Sequence, residues 1–413
     1  MIVEKKTVRF AARPYRLENA IRHYAWGTRN RDAFIPRLIG KQAEPDTPYA
    51  ELWIGAHPAA PSHLVTEEGR IPLDRAIASD PESILGESVV RRFGPTLPFL
   101  LKVLSAGEPL SIQAHPDKRR ARILHARDPA HYPDGNYKPE IAVALDGLTA
   151  LAGFKPPREM AEALNACPEI AEFAGMESAA VNRDARGRKA FFTHLMRRSQ
   201  SEPDRLIDAV ERLKTRILQK TRRSETEALF LTLRDRYPDA DAGLFSLFLL
   251  NLIHLGPGEG LFLGPGIPHA YIRGNIVECM ANSDNVVRAG LTPKFRDAET
   301  LVEILDYDTT RPVLFRPDSS EREILYAPPV SEFSLSRRRL EAGEASCIGA
   351  VASIRMILVT EGALELSWDA EGIPGSETFG RGSSVLIPAS LGKFWITAPA
   401  GTLFFAVRVP ESR

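Results

Sequence analysis

Between residues 156 and 255 the apolar residues of this chain fall into helical spacing, and on either side of that stretch they do not. Leu206, Val210, Leu213 and Ile217 recur at steps of three and four with Asp, Glu, Arg and Lys between them, and Leu229 and Leu233 form a second such face. The run Asp241 to Leu255 stops at Gly256-Pro257, a pair that ends helices. Residues 1–155 instead hold short apolar runs, such as Pro98–Leu104 and Ile141–Leu145. Turn signals at Gly94-Pro95, Gly107-Glu108-Pro109 and Asp134-Gly135 bound them, which is the pattern of many short strands. That pattern returns in Gly260–Gly264, Ile354–Val359, Ala363–Trp368 and a last strand over Thr402–Val409. The expected fold is mainly β, with an α-helical insertion of about a hundred residues.

Composition narrows the function classes. Lys plus Arg equal 53 and Asp plus Glu equal 53, so a global polyanion binder is disfavoured, while a local basic pocket is allowed. The longest apolar stretch, Leu244–Leu255, is broken by Ser246, Asn251 and His254 and is too short to span a bilayer. Glu4, Lys5 and Lys6 stand where a signal peptide would carry its apolar region. Cys167, Cys279 and Cys347 are far apart and without a CxxC, so neither a disulfide framework nor a thiolate zinc site is expected, and a cytoplasmic location is.

Two segments echo each other. Residues 258–272 and 382–396 both open on Gly, run through three apolar residues, include a Pro and end on an aromatic strand. Gly258 is eleven positions before His269, and Gly382 is eleven before Lys393. Two β modules of one type are expected, the second short of at least one ligand if the first holds a metal; the rival reading is that such Gly-plus-apolar strand layouts recur by chance.

The candidate chemistry lies in four stretches. On a strand, Ser111, Gln113 and His115 share one face. Lys138 and Glu140 are again two apart, and a turn at Gly266-Ile267-Pro268 delivers His269 to a new strand. Gln113, His115, Glu140 and His269 make a mixed nitrogen and oxygen donor set with one negative charge, which suits zinc or another first-row divalent ion. On these residues alone the bland reading also stands, with hydrogen-bonded structural histidines, a solvated Glu140 and a turn-capping Gln113. In the fourth stretch Arg288 and Lys294 bracket a Gly290/Pro293 turn, with Glu278 and Asp284 nearby. That reads either as a phosphate or oxyanion site or as a charged surface loop.

These residues belong to a larger ordered set. Asn19 with Tyr24-Ala25-Trp26-Gly27, Glu51 to Pro58, Ser111 to Lys118, Lys138-Pro139-Glu140, Pro268 to Tyr271 and Val277 to Phe295 occur in sequence. In these motifs, and over most of its length, the chain resembles the type I phosphomannose isomerases, zinc enzymes of the cupin superfamily. The resemblance implies two cupin-like jelly-roll β-barrel modules plus a helical domain. Residues 1–155 with 256–315 would form the metal-binding catalytic module, 156–255 the helical insertion, and 316–413 a cupin-like module without metal. It implies one zinc ion per chain, held by Gln113, His115, Glu140 and His269, and a catalytic arginine at Arg288. Lys138, Ser111, Lys294, Glu278 and Asp284 match other pocket positions, and Trp26 is a further candidate for the substrate. Tyr137 departs from the His that many members carry there. The implied reaction interconverts mannose 6-phosphate and fructose 6-phosphate by proton transfer between C1 and C2 through a cis-enediol. An arginine suits oxyanion stabilisation rather than base chemistry. The base is then a carboxylate, a neutral lysine or metal-bound hydroxide, with Glu278 the leading choice, Lys138 a further catalytic candidate, and Lys294 with Ser111 or Arg288 holding the phosphate. The expected partner is the sugar phosphate, not nucleic acid or membrane, and a monomer is expected. The alternatives are a cupin isomerase or epimerase for another sugar phosphate, which a substrate panel separates, and a non-catalytic sugar-binding cupin, which binds without turnover.

Overall fold

His269–Ala281, the longest strand among the described residues, organises the first β module. The computed structural model describes residues 10–411 apart from 183, 293, 309–310, 319, 350–352 and 371; Glu4, Lys5, Lys6 and the turn residue Pro293 lie outside the described residues. The second half of the long strand pairs antiparallel with Phe99–Ala106 and Glu140–Ala144. Its first half pairs with Leu148–Phe154 and, at His269, with Ile112–Ala114. Between the halves Gly274 has φ +137°, and a Cβ there would fall 2.2 Å from the Gly147 carbonyl oxygen. Only glycine meets both demands, so the strand passes from one set of partners to the other at this point.

Alternation along the strand sorts its side chains. Glu278 lies opposite Lys102 and Ala142, and Met280 opposite Glu140, so these residues share the inner face. Val277 and Cys279 face outward with Leu101, Val103, Ile141 and Val143. They pack in one core with Leu335, Met356, Leu358, Leu386 and Phe405 of the C-terminal module. Phe99–Ala106 is buried along its whole length because it is covered on both faces.

Helices fill the middle of the chain: Pro157–Ala166, Pro168–Ala174, Ala185–Ser201, Pro203–Leu218, Glu225–Arg236 and Gly243–Leu249. Three open with Pro in the first turn, where the missing N–H costs nothing. Glu225–Arg236 opens with a reciprocal cap, the Ser224 hydroxyl accepting from Glu227 N and the Glu227 carboxylate accepting from Ser224 N. Leu206, Val210, Leu213 and Ile217 are all buried, as their spacing requires, in a core that also holds Ile112, Ala114, Ala270, Val287 and Ala289. The helices therefore back the strands whose opposite faces carry Gln113, His269 and Arg288.

Two features differ from the sequence expectation. The run Asp241–Leu255 is helix only over Gly243–Leu249, and Leu250–Leu255 is a strand paired with Leu148–Phe154. A run with so few polar interruptions carries too little period to separate helix from strand. Here the partner strand decides, and the Asn251 amide donates to the carbonyls of Ala152, Gly153 and Phe154 across a register shift. Strand pairing also crosses the expected boundary between the first module and residues 316–413. Tyr15–Glu18, His63–Thr66 and Gly69–Pro72 complete an eight-stranded sheet otherwise built from C-terminal strands, through pairs such as Tyr15 with Leu386.

That sheet and a four-stranded one enclose the C-terminal core of Val359, Leu364, Phe379, Val385 and Phe404. The sequence echo has a backbone counterpart. Gly258 (φ +83°) precedes the strand Gly260–Leu263 and Gly382 (φ +80°) precedes Ser384–Ile387. His269 begins the next strand in one copy and Phe394, just after Lys393, in the other. No described helix is long and apolar enough to cross a membrane.

Candidate active site

Three adjacent strands place Gln113 between His269 and Arg288, its direct cross-strand partners on either side. Ile112 and Ala114, on the other face, are fixed in the helical core, so Gln113 turns inward. Glu140 starts the strand that pairs with the far end of His269–Ala281. His115, Glu140 and His269 converge, their ligand atoms within 4.8 Å of one another and all three side chains buried. His115 Nε2 lies 3.4 Å from Glu140 Oε1, and His269 Nε2 lies 3.5 Å from Glu140 Oε2. The Gln113 amide reaches His269 Nε2 at 3.4 Å, and half a turn of that amide presents its oxygen instead.

The outer nitrogens of both imidazoles are already committed. His115 Nδ1 donates to the Asn285 carbonyl at 2.8 Å and His269 Nδ1 to the Ile267 carbonyl at 2.9 Å. Each ring then carries its proton on Nδ1 and turns a bare Nε2 lone pair to the centre. His115 Nε2 and Glu140 Oε2 are buried and make no hydrogen bond. Buried polar atoms left so are costly, and a divalent cation at the centre satisfies them together. Burial, with Lys138 and His269 beside it, pushes His115 down to about 4, so the ring is neutral as a ligand must be. Burial alone would raise Glu140, but Lys138 and His115 hold it well below the usual carboxylate range. Lys138 Nζ sits 3.1 Å from Glu140 Oε1. The donor set fits a first-row divalent ion.

Next to this cluster lies a buried charge network that sequence reasoning did not assign. Lys102 Nζ is 3.2 Å from Glu278 Oε2 and 3.7 Å from Glu51 Oε2. Tyr271 donates to Glu278 Oε1 at 3.1 Å, and Trp53 Nε1 donates to Glu51. Burial raises Glu278 above the ordinary range even though Lys102 pulls the other way. Burial opposes the charge on Lys102 too, but Glu51 and Glu278 outweigh it and hold the ammonium. The signal for Lys102 was present, as a lone lysine within the apolar run Pro98–Leu104. Glu278, the leading choice for the base, is mid-strand and buried, which rules out the surface-loop reading for this residue.

The cavity over these groups has a volume of about 530 Å³. Trp26, Ser111, Gln113, Lys138, Glu140 and Glu278 line it, and so do Asp284, Arg288 and Lys294. His115 and His269 lie behind Glu140, so every expected site residue reaches one place. Gly27 pins the segment bearing Trp26, since a Cβ there would lie 2.6 Å from Ala50 N. Lys294 is exposed and its Nζ stands 5.4 Å over the Tyr24 ring. Burial lowers Arg288, and burial together with Arg288 lowers Lys294. Asp284 is half exposed and accepts from His57 Nε2 at 3.2 Å, which with burial opposing keeps it below its usual value.

The loop after Arg288 is tied to the helical insertion. Asp241 Oδ1 accepts from Gly243 N at 2.7 Å and from Leu291 N at 2.9 Å, and its Oδ2 pairs with Arg296 at 3.0 Å. Tyr237 donates to the Leu291 carbonyl, and Arg236 pairs with Glu108 across the cavity mouth. Asp241 gave no local sequence signal for the tie, because the two partners beyond Gly243, Leu291 and Arg296, are at least fifty residues away.

The description phosphomannose isomerase type I, catalytic domain, matches residues 15–157. A mannose-6-phosphate isomerase from Schizosaccharomyces pombe is 39% identical over 378 residues, covering 86% of this chain and 90% of its own. The Homo sapiens mannose-6-phosphate isomerase is 37% identical, over 86% of this chain and 89% of its own. Among solved structures, a point mutant of phosphomannose isomerase from Salmonella typhimurium superposes with a TM-score of 0.83 at 32% identity, over 96% of this chain and 100% of that one. A zinc-bound mannose 6-phosphate isomerase gives the same TM-score and identity over the same shares.

Proposed function

This chain belongs to the type I phosphomannose isomerase family, and from that premise we propose how its own residues carry the family's reaction. It is a zinc-dependent mannose-6-phosphate isomerase of cupin-like fold that interconverts mannose 6-phosphate and fructose 6-phosphate. The observation that carries the reading is the pair of buried, unpartnered atoms His115 Nε2 and Glu140 Oε2, facing His269 and Gln113 beneath the cavity that Arg288 lines. Gln113, His115, Glu140 and His269 hold one zinc ion, which when bound polarises the sugar's carbonyl and hydroxyl oxygens as a Lewis acid.

The other roles follow from charge and burial. Glu278 carries the proton between C1 and C2: it lines the cavity, burial makes it more basic than an ordinary carboxylate, and Tyr271 and Lys102 hold its orientation. Arg288 stabilises the enediolate oxygen, being fixed beside Gln113 and charged at any working pH. Lys294, at the exposed rim, holds the phosphate with Ser111, and Trp26 and Asp284 bound the sugar. Lys138 balances Glu140 and acts on the reaction only through it. The proposed form is a cytoplasmic monomer; three free cysteines suit a reducing compartment, and light scattering tests the monomer.

The deciding experiment is a coupled assay on mannose 6-phosphate with metal analysis of the same sample. Chelation is expected to abolish turnover and stoichiometric zinc to restore it. Full turnover in a metal-free sample rejects the assignment.

A further inference from the structure

The inner face of the second β module changes character along its strands. In Ser334–Leu340 the inward positions are Ser334, Ser336, Arg338 and Leu340, and only the last belongs to the apolar core. The neighbouring strands change in the same direction, from Phe404 to Arg408 and from Val359 and Ile357 to Arg355. Arg355 and Arg408 are direct cross-strand partners, and Ser334 faces Arg408 from the other side. Like charges placed directly opposite destabilise a sheet, so this arrangement needs a compensating charge.

The chain does not supply enough of one. The arginines line a cavity of about 390 Å³, where Glu323 is the one carboxylate among the described residues, and its side chain is 60% exposed. Arg338 donates to Ser346 Oγ at 3.2 Å, but its buried Nε, 3.5 Å from Glu323 Oε2, makes no hydrogen bond. Burial, with Arg408 and Arg338 adding to it, pulls Arg355 down to about 10. The Arg355 guanidinium stands 5.7 Å over the Phe394 ring, which gives the cavity an apolar wall. Phe394 opens its strand as His269 opens the corresponding strand in the first module. This cavity is separate from the one over the metal cluster and shares no lining residue with it.

We infer that the second β module binds a small organic phosphate, with Arg338, Arg355 and Arg408 around the dianion and Ser334, Ser336 and Ser346 offering hydroxyls to the rest of the molecule. With Glu323 counted, the cavity carries two net positive charges, which matches a phosphomonoester dianion. The volume falls within the range of small-molecule sites.

The test uses the zinc-loaded full chain, titrated calorimetrically with inorganic phosphate and with glycerol 3-phosphate. Wild type is expected to show a binding event beyond that of the catalytic pocket. Arg355→Gln and Arg408→Gln are each expected to weaken that event tenfold or more and to leave isomerase kcat unchanged. Removing one of two opposed charges relieves repulsion, so ligand-free Arg408→Gln is expected to melt no lower than wild type, which separates lost binding from misfolding. Identical phosphate isotherms in wild type and both variants overturn the inference, and so does a site that takes malonate more tightly than phosphate. Either result leaves the catalytic reading standing, because the two cavities share no residue.

Discussion

At the residue scale the chemistry depends on which charges are buried and what balances them. Lys102 holds two carboxylates inside the module, and removing it leaves Glu51 and Glu278 facing each other without a cation. Lys102→Met is expected to cost about 3–5 kcal/mol, the usual loss when one member of a buried ion network goes, read from urea denaturation. It also has a pH signature. Lys102 lowers Glu278 and the base works only when deprotonated, so the acid limb of kcat/KM is expected to move to higher pH in the variant. An unmoved limb removes Glu278 as base. Arg288→Ala is expected to lower kcat by about a hundredfold to a thousandfold, as loss of an oxyanion partner does, with zinc content unchanged by metal analysis. The proposed ligands came from the family resemblance; alternation and short spacing set Gln113 on one face with His115 and Lys138 with Glu140, but left structural histidines open as well. Lys102 showed in the sequence only as one lysine interrupting an apolar run, a signal with no meaning until both of its partners are known.

At the scale of elements, the helical insertion works as a backing and a clamp. Asp241 joins the start of Gly243–Leu249 to the backbone just after Arg288, through a residue, Leu291, that holds a positive φ of 55°. Asp241→Ala leaves two buried N–H groups without an acceptor and is expected to cost about 1–3 kcal/mol for each. Because the loop it releases follows directly on the strand that carries Arg288, kcat is expected to fall while KM for the sugar phosphate changes less. Stopped turnover with normal Arg288 geometry in a crystal structure of the variant contradicts this. Elsewhere in the insertion the effect is purely on stability. Ser224→Ala is expected to cost about 1 kcal/mol with kcat unchanged. Burial would raise Glu227, but Lys220 and Ser224 hold it below the ordinary value. Its contribution is therefore present above the unfolded glutamate pKa and is lost as pH falls through the folded one. The deficit of Ser224→Ala is expected to shrink on acidification in parallel melts. Helices with a clear amphipathic period were legible; Leu250–Leu255 was not, because a mostly apolar run without a clear period takes its conformation from the strand it meets.

At the scale of the whole molecule, the two β modules are not independent. The outer face of Phe99–Ala106 and the C-terminal sheet share one core, and the N-terminal strand Tyr15–Glu18 is hydrogen-bonded into that sheet. Nothing local in Tyr15–Glu18 announces a partner about 370 residues away, so the interlacing of the modules could not be read from the sequence. Zinc bound only by the folded chain adds stability by mass action, on the order of 4 kcal/mol at a thousandfold excess over Kd. Chelation is expected to lower the melting temperature by several degrees and zinc to reverse it. A melting curve indifferent to zinc separates the ion from the fold.

The strand His269–Ala281 carries an imidazole of the metal cluster at one end and the buried carboxylate Glu278 toward the other, with Gly274 turning it between. Both groups are thus read off one tape measure. A slip of a single step against Phe99–Ala106 swings Glu278 out of the interior and drags His269 from its neighbours at the same stroke. Misassembled chains therefore forfeit proton shuttle and ion together, and an inactive fraction in any preparation should be found empty of metal as well.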